Sequence, residues 1–231
     1  MNQILPAAAD LVVGQRVYCI LYGGKYGTIV EIQGEQSAGS CRVLGGGVGV
    51  MGGSAYVSVV WDNGSQSGRL PESLVRGSVQ WKRFDEVVSA EQVAERIAAA
   101  AVYAAQQKAK ADAERAAFER AKEAAKAEGL ALGLIPEAEF RAAGKRGTAA
   151  AANLRAELKR AGIKARVNGD YNSVNVYVAD PAQIEKANEI GRKYKAGSFD
   201  GMTDCYDYDP CAWGSVFGDV QYVFVSKEWK Q

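Results

Sequence analysis

Between Leu11 and Phe84, short apolar runs rich in β-branched and aromatic residues alternate with glycines, which is typical of β-strands joined by tight turns. The clearest run, Tyr56 to Trp61, is followed by Asp62-Asn63-Gly64, a strong turn signal before a further run at Gln66 to Leu70. The pattern predicts a small β-barrel or curled sheet in this part of the chain.

A glycine-rich stretch, Gly-Gly-Gly-Val-Gly-Val-Met-Gly-Gly at 45–53, interrupts these runs. It superficially suggests a loop that cradles phosphate, but no Lys-Ser/Thr pair follows and the next predicted element is a strand rather than a helix. We therefore favour a flexible hairpin or an edge strand, in which glycine lets another backbone approach closely.

From Ser89 the pattern changes to that of a helix, with Ser89 as N-cap and Gln92 as its capping-box partner. No proline or glycine interrupts the chain up to Glu128, alanine dominates, and opposite charges recur at helical spacing, so Gly129 is the predicted stop. Large apolar residues are too few to bury much surface. The helix is therefore either a spacer packed at its ends or an alanine-rich helix that pairs with a second copy in a homodimer.

The C-terminal part predicts an α-β-β-α-β order, because glycines and Pro181 mark helix ends and valines alternate with polar residues in the strands. The predicted elements are helix 149–161, strands 163–167 and 173–178, helix 181–195, an irregular segment, and strand 220–225. The class is α+β, with a β-rich, barrel-like domain at 1–88, a long helical linker at 89–147 and an α+β domain at 148–231.

Composition narrows the functions to be considered for this 231-residue chain. It is 48% hydrophobic and 24% charged with a formal net charge of +1, so a core is expected but no overall field attracts nucleic acid or an anionic membrane. Histidine is absent, which removes the usual general base and the commonest zinc ligand. Four cysteines match no redox or zinc spacing and are expected as free thiols: Cys19, Cys41, Cys205 and Cys211. We expect no catalytic residue set, no metal and no cofactor.

No apolar run reaches the roughly 18 residues that a membrane-spanning helix needs. The N-terminal segment Met1 to Leu11 has no basic residues before its short apolar run. We expect a protein that is neither exported nor embedded in a membrane.

Charge in the C-terminal part is divided between two segments of opposite sign. The basic patch comprises Arg155, Lys159, Arg160, Lys164 and Arg166. The acidic segment is interleaved with aromatics, and its candidate partner-binding residues are Phe199, Asp200, Asp204, Tyr206, Asp207, Tyr208, Asp209 and Trp213.

Both segments are either solvated faces that partly neutralise each other, or binding sites. As binding sites, the basic patch suits phosphates or an acidic protein, and the acidic segment suits a basic protein surface. The acidic segment lacks the spacing of a calcium loop, which disfavours a metal there.

The C-terminal part also resembles a known family. The run Asn153-Leu-Arg-Ala-Glu-Leu-Lys159, the hairpin from Tyr171 to Val178 and the segment Gly197-Ser-Phe-Asp-Gly-Met-Thr-Asp204 look like large polyvalent protein-associated domain 29 of plasmid and phage proteins. The resemblance covers residues 148–226, and Phe-Asp-Gly-Met-x-Asp is its most specific element. The N-terminal part resembles the region that precedes this domain in such proteins, at Val17-Tyr-Cys, Ile32-Gln-Gly-Glu-Gln36, Leu44-Gly-Gly-Gly-Val48, Leu70-Pro-Glu-Ser73 and Gln80-Trp81.

This resemblance implies a mobile-element setting and brings no catalytic motif with it. Accessory genes of such elements often encode proteins that blunt host defence, including anti-CRISPR proteins, or that accompany DNA transfer. Our leading hypothesis is a non-enzymatic, anti-CRISPR-like inhibitor that binds a host defence protein or ribonucleoprotein, with a CRISPR effector as the best guess, in the cytoplasm of a bacterial host. The alternative is a nucleic-acid-binding accessory protein of DNA transfer that uses the basic patch. A third hypothesis is a hydrolase or nuclease in which the four aspartates of the acidic segment hold a divalent metal.

Overall fold

The computed structural model of the protein describes residues 9–21 and 24–227. It contains 42% helix and 31% strand, which confirms the α+β class. The chain divides into two compact units, Met1–Ala111 and Asp112–Gln231, here called unit 1 and unit 2. The three predicted parts, 1–88, 89–147 and 148–231, stay a prediction.

Unit 1 is built on a five-stranded antiparallel sheet with the strand order β6-β5-β2-β1-β7. Its elements are β1 (Gln15–Cys19), β2 (Lys25–Gln33), β3 (Arg42–Leu44), β4 (Gly49–Met51), β5 (Tyr56–Trp61), β6 (Gln66–Pro71), helix α1 (Glu72–Gly77) and β7 (Trp81–Val87). Strands β3 and β4 form a separate hairpin. The β-rich prediction is thus confirmed, whereas the sheet of the described residues does not close into the predicted barrel.

Two predicted features of this unit are present, the turn at Asp62-Asn63-Gly64 and, of the two alternatives given for 45–53, the hairpin. The backbone N–H of Gly64 donates to Trp61 O at 2.9 Å, and Gly64 has a φ of +86°, which only glycine adopts without strain. The glycine-rich stretch forms the β3–β4 hairpin, in which Gly46 has a φ of +71°. The prediction of a hairpin at 45–53 is therefore confirmed.

One face of the sheet is buried because its side chains alternate along the strands. Val17, Ile29, Val57 and Val59 on this face are fully buried, and the ring of Trp61 lies 5.5 Å from that of Trp81. The apolar face and helix α1 together enclose the core of unit 1.

A buried ion pair ties α1 to the loops around this core. Glu72 and Arg76 lie one helical turn apart, their side chains are fully buried, and the guanidinium Nε donates to Glu72 Oε2 at 2.9 Å. The other carboxylate oxygen accepts backbone N–H groups of Ser37, Ser54 and Ala55 at 2.7, 2.8 and 3.3 Å. The carboxylate therefore fixes two loop segments that are distant in sequence.

Helix α2 (Ala90–Ala131) has 42 residues and passes from unit 1 into unit 2. The predicted capping box is confirmed, because Gln92 N donates to Ser89 Oγ at 3.3 Å and Ser89 N donates to Gln92 Oε1 at 3.0 Å. In unit 1, Val93 and Ala100 of the helix pack on Val30 and Val60 of the sheet.

The predicted stop of this helix at Gly129 is wrong, because α2 continues to Ala131. The chain leaves the helix at Gly133, whose φ is +67°. Gly129 instead makes room for packing, since a Cβ atom there would lie 2.1 Å from the ring of Phe217 in unit 2. The C-terminal end of α2 is therefore part of the core of unit 2. Whether α2 pairs with a second copy stays a prediction.

We expect the Gly129→Ala variant to destabilise unit 2, although alanine normally stabilises a helix interior by about 1 kcal/mol relative to glycine. The added methyl group must displace the fully buried ring of Phe217, and such overpacking costs about 1–3 kcal/mol. Thermal unfolding followed by near-ultraviolet circular dichroism measures the change. Adding Phe217→Leu should recover part of the loss, and a stabilising Gly129→Ala would contradict this account of the glycine.

Unit 2 contains a three-stranded sheet with the order β12-β9-β8, in which β9 pairs antiparallel with β8 and parallel with β12. Its further elements are α3 (Glu137–Ala142), α4 (Ala149–Arg160), β8 (Ala165–Gly169), β9 (Ser173–Val178), α5 (Ile184–Arg192), β10 (Gly197–Asp200), β11 (Cys205–Tyr208), α6 (Ala212–Phe217) and β12 (Tyr222–Lys227). The predicted α-β-β-α-β order is confirmed. The segment predicted to be irregular is corrected, since it contains the β10–β11 hairpin and α6.

A buried asparagine joins three parts of unit 2. Asn153 of α4 accepts the backbone N–H of Ile135 at 2.9 Å and donates to Ile135 O at 2.8 Å and to Phe217 O at 2.9 Å. It is 2% exposed and lies beside the core residues Leu154 and Leu158. The amide thus connects α4 to the segment before α3 and to the end of α6.

A second polar group in unit 2 is Glu157, one turn further along α4. Its carboxylate accepts hydrogen bonds from the phenol of Tyr194 at 2.5 Å and from Lys193 Nζ at 3.0 Å. Burial raises the pKa of Tyr194, and the neighbouring carboxylate raises it further, so the phenol remains a donor.

Among the described residues, no helix has the length and apolar character needed to span a membrane.

Candidate functional site

Four aromatic side chains form a continuous ladder on the surface of unit 2. Ring centroids are 4.8 Å apart between Tyr208 and Tyr206, 5.5 Å between Tyr206 and Tyr222, and 5.8 Å between Tyr222 and Phe224. Tyr206 and Tyr208 are two residues apart on β11, so their rings point to the same side of that strand. The same holds for Tyr222 and Phe224 on β12. Tyr208 and Phe224, at the ends of this aromatic ladder, are 65% and 54% exposed.

The β10–β11 hairpin, which carries Tyr206 and Tyr208 of the ladder, is held in place by a hydrogen bond and by the close approach of its two strands. The phenol of Tyr206 donates to Gln221 O at 2.6 Å, which links β11 to the residue before β12. Burial raises the pKa of Tyr206, and neighbouring phenols and Asp219 add to the shift, so this donor stays protonated. At Gly197 a Cβ atom would lie 2.0 Å from Asp207 O, so only glycine allows β10 to reach β11. The rings are thus presented on a preorganised scaffold.

Carboxylates and further apolar side chains lie close in sequence to Tyr206 and Tyr208, although Asp207 alternates with these tyrosines on β11 and points to the other face of the strand. Asp204, Asp207 and Asp209 are exposed on the β10–β11 hairpin, with Phe199 at 52% and Met202 at 97% exposure beside them. We call these carboxylates, together with Asp200, the acidic rim. An aromatic centre with a charged rim is the usual anatomy of a protein–protein interface.

Asp200 has a local role in the loop of this hairpin. Its two carboxylate oxygens accept the backbone N–H of Met202 and the hydroxyl of Thr203, both at 2.9 Å. The pKa of Asp200 is lowered, first by the hydrogen bond from Met202 N and then by that from Thr203. Asp200 therefore remains ionised and orders the loop that exposes Met202. Within the described residues, no group of three or more His, Cys, Asp or Glu side chains is placed to hold a metal ion.

Trp213 does not lie on this surface. It is 8% exposed, its ring is 5.0 Å from that of Phe217, and Lys193 Nζ lies 4.3 Å from the ring centroid. The residue belongs to the core, because the short helix α6 buries Trp213 together with Phe217, one turn further along the helix. We therefore exclude Trp213 from the candidate surface.

Sequence reasoning missed two rungs of the ladder, Tyr222 and Phe224. The strand was predicted from its valines, and Val223 and Val225 do pack towards the core. The available signal was the alternation itself, since Tyr222 and Phe224 alternate with Val223 and Val225 and must face the opposite side of β12 from these valines.

A groove of about 610 Å³ borders the ladder at Tyr208. Tyr171, which is 88% exposed, lines it together with Arg141, Thr148 and Asp219. Burial raises the pKa of Asp219, and the carboxylate of Glu137 raises it further. The groove extends the surface on which a partner's side chains have room to insert.

The basic patch lies on α4 and β8, which pack against each other. All five residues are exposed, but two of them already have neighbours. Arg155 donates to Val167 O at 2.7 Å, and the guanidinium of Arg166 lies 4.8 Å from the ring of Tyr177. Neither contact removes a positive charge, so all five side chains contribute to the charge that an anionic ligand would meet.

The four cysteines, Cys19, Cys41, Cys205 and Cys211, are free. Cys211 has a structural role, because its thiol donates to Lys193 O at 3.1 Å and accepts Gly214 N at 3.2 Å at the start of α6. Burial raises the pKa of Cys41, and the carboxylate of Glu72 adds to the shift, so this thiol is held in its less reactive protonated form.

Comparison with protein families gives one match, to the model of Large polyvalent protein associated domain 30, over residues 8–136. The chain belongs to this family. Membership of the large polyvalent protein group is thus shown, but the matching domain is number 30 and lies in the N-terminal half, whereas the resemblance to domain 29 was placed at 148–226. The domain 30 match includes the sheet of unit 1 and helix α2 and ends before α3. No curated protein and no solved structure matches the chain.

Proposed function

We propose that this chain is a non-enzymatic counter-defence protein of a phage or plasmid, which inhibits a host defence protein by binding it through the aromatic ladder and the acidic rim. The single observation that carries the proposal is the ladder, four rings in successive contact on β11 and β12, of which Tyr208 and Phe224 at the two ends are exposed. Membership of the domain 30 family supports a mobile-element setting. The host cytoplasm, where defence effectors act, is the proposed location.

The ladder suits a protein partner because rigid aromatic side chains bury a large area at a low cost in conformational entropy. Tyrosine is enriched among the residues that dominate binding energy, especially where rings are surrounded by polar groups that exclude water. The acidic rim carries four carboxylates and favours a partner with a basic surface, since complementary charge raises the association rate and orients the encounter.

A CRISPR effector is the proposed target because of its charge. Such effectors hold the guide–target heteroduplex in a positively charged channel. A surface that combines carboxylates with flat rings is complementary to a channel of this kind, and occupying the channel would inhibit the effector without any chemistry.

The proposed resemblance of unit 2 to domain 29 rests on the same surface. The segment Phe199 to Asp204, which carries the most specific part of that resemblance, comprises the end of β10 and the loop of the β10–β11 hairpin. We propose that unit 2 is the partner-binding module.

We expect truncation of either end of the ladder to weaken binding strongly. Tyr208→Ala and Phe224→Ala each remove an exposed ring without opening the core, and a central aromatic contact contributes on the order of 2 kcal/mol, roughly 30-fold in affinity. The measurement is biolayer interferometry of the full chain on purified CRISPR effector complexes, paired with plasmid survival in CRISPR-competent and CRISPR-deficient hosts. Tyr56→Ala, an exposed tyrosine of unit 1, is the matched control and should change neither readout.

The second candidate function is a nucleic-acid-binding accessory protein, which the exposed basic patch favours. It predicts tight binding of bare DNA or RNA at physiological salt, lost on reversal of Lys159 and Arg160 to glutamate and unaffected by the ladder truncations. That result, or plasmid survival that does not depend on the ladder, would overturn the leading proposal.

A further inference from the structure

Three aromatic rings from neighbouring strands lie in contact on the outer face of the sheet of unit 1. They are Tyr18 of β1, Tyr26 of β2 and Phe84 of β7. The ring centroids of Tyr18 and Tyr26 are 4.8 Å apart, and those of Tyr26 and Phe84 are 6.1 Å apart. The rings of Tyr26 and Phe84 are inclined by 26° and stacked, and Tyr26 is 53% exposed. We call these three side chains the aromatic platform.

The platform is not part of the core of unit 1. The buried side chains of β1 and β2, such as Val17, Cys19 and Ile29, point to the other face of the sheet. On the outer face, helix α2 packs against Val30 and Val60. Rings of this size thus lie on the face of the sheet that points away from the core of unit 1.

Cationic groups surround the rings. Lys82 Nζ lies 6.0 Å from the ring centroid of Tyr18. Arg16 and Arg96 border a pocket of about 440 Å³ whose other lining residues are Tyr26, Phe84 and Glu86.

The two guanidinium groups share one carboxylate. Arg16 donates to both oxygens of Asp62 at 2.8 and 2.6 Å, and Arg96 donates to Oδ1 at 2.8 Å. The pKa of Asp62 is lowered, chiefly by the hydrogen bond from Arg16, so the carboxylate is ionised and neutralises one of the two positive charges. With Lys82 the edge of the platform remains positive in spite of Glu86.

We propose that the aromatic platform binds a short segment of single-stranded nucleic acid, with bases stacked on Tyr26 and Phe84 and phosphates against Lys82 and Arg96. Flat rings beside cations at this spacing complement a chain in which flat bases alternate with anionic phosphates. Bases paired in a duplex cannot reach the rings, so the platform should discriminate against double strands. A protein ligand would gain from the rings but would not need cations at each edge of the platform.

This site is independent of the proposed function. It lies in unit 1 and takes a nucleic acid, whereas the ladder lies in unit 2 and is proposed to take a protein. It is also separate from the basic patch on α4 and β8, so each surface can be removed without altering the others.

We expect the full chain to bind fluorescein-labelled oligothymidylate and oligouridylate of about 12 nucleotides, measured by fluorescence anisotropy at low salt. Tyr26→Ala and Phe84→Ala should each weaken binding about 10-fold, since each base loses a stacking partner. Tyr26→Phe keeps the ring and should bind as the wild type does. Lys82→Gln should reduce the slope of log affinity against log salt by about 0.7, the value for one phosphate contact on a single strand.

Two controls locate the effect. Tyr56→Ala removes an exposed tyrosine that also has a cation near its ring, Arg69 at 5.1 Å, but it pairs with Gln33 at the opposite end of β2 from Tyr26. The double reversal of Lys159 and Arg160 to glutamate removes charge from the basic patch. Both variants should bind the oligonucleotide normally.

Equal affinity for a duplex of the same length, binding that survives both ring truncations, or no binding to either oligonucleotide would overturn the proposal. Loss of binding in the Lys159 and Arg160 reversal with full binding in Tyr26→Ala would assign the nucleic acid to the basic patch instead. Circular dichroism of each variant identifies any loss that is due to unfolding, and Tyr26→Phe then decides the role of the ring.

Discussion

The Glu72→Gln variant is expected to lower the free energy of unfolding of unit 1 by about 3–5 kcal/mol, the usual cost of removing one partner of a buried ion pair. The guanidinium of Arg76 is fully buried and would lose its closest charged partner, since Asp10, a second carboxylate neighbour, lies 3.6 Å away and is exposed. The amide of glutamine also has an NH2 group in place of one carboxylate oxygen. This group would face another donor, either the guanidinium of Arg76 or the backbone N–H groups of Ser37 and Ser54.

Hydrogen exchange in increasing denaturant, read on peptides from residues 9–88, measures this loss separately from unit 2. Glu31→Gln is the matched control, because Glu31 is an exposed glutamate of the same unit that accepts hydrogen bonds from Gln33 and Ser58. It should cost less than about 1 kcal/mol. Equal effects of the two substitutions would refute the structural role of the buried pair.

The same carboxylate predicts how unit 1 responds to acid. Burial opposes ionisation of Glu72, but hydrogen bonds from three backbone N–H groups and from Arg76 outweigh it, so its pKa is lowered. A lowered folded-state pKa contributes stability that is fully present above the unfolded value of about 4.3 and is lost as pH falls through the folded value. Wild-type unit 1 should therefore weaken below about pH 4.3, and Glu72→Gln should show less of this dependence.

Replacing Asn153 with leucine, which has a similar shape and no polar atoms, is expected to destabilise unit 2 by about 3 kcal/mol or more. The substitution leaves the N–H and C=O of Ile135 and the C=O of Phe217 without their partner, and each unsatisfied buried group costs about 1–3 kcal/mol. The free energy gained by burying an apolar side chain cannot offset the loss of these three hydrogen bonds.

Exchange of amide protons in α4 and α6 provides the measurement for this variant. Asn168→Leu, at an exposed asparagine of β8, serves as the control and should change unfolding by about 0.5 kcal/mol or less. A stable Asn153→Leu variant with normal exchange in α6 would show that water replaces the amide.

Sequence predicted the features of this fold that depend on neighbouring residues. The capping box at Ser89 and the turn at Asp62-Asn63-Gly64 require only contacts within a few residues, and both are present. The alternation of Val174, Val176 and Val178 predicted the buried face of β9 for the same reason, and all three are fully buried.

Features that depend on distant residues were not predicted. Gly129 has the appearance of a helix stop in the sequence, but its contact with Phe217 joins positions 88 residues apart. The β10–β11 hairpin was missed because aspartates are poor strand formers, and the loop hydrogen bonds of Asp200 compensate for them. Trp213 was placed on the surface because aromatic content alone does not show which side of a short helix is buried.

In the candidate surfaces, too, the residues predicted from the sequence are those that lie close together along the chain. Tyr206 and Tyr208 were found because they are adjacent to the acidic segment, whereas Tyr222 and Phe224 join them only through the fold. The rings of the platform are dispersed over β1, β2 and β7, and no local pattern brings them together.

The parallel pairing of β12 with β9 also bears on how the protein folds during synthesis. β12, which spans Tyr222–Lys227, supplies one edge of the sheet in unit 2, so β9 is paired on one side alone, with β8, until Tyr222–Lys227 has been synthesised. All strands of unit 1 are complete by Val87 and can pair much earlier. The nascent chain should therefore acquire the platform well before the aromatic ladder. Translation that stops ahead of Tyr222 would release a chain with a folded first unit and, in the second, a strand β9 with one edge unpaired and exposed.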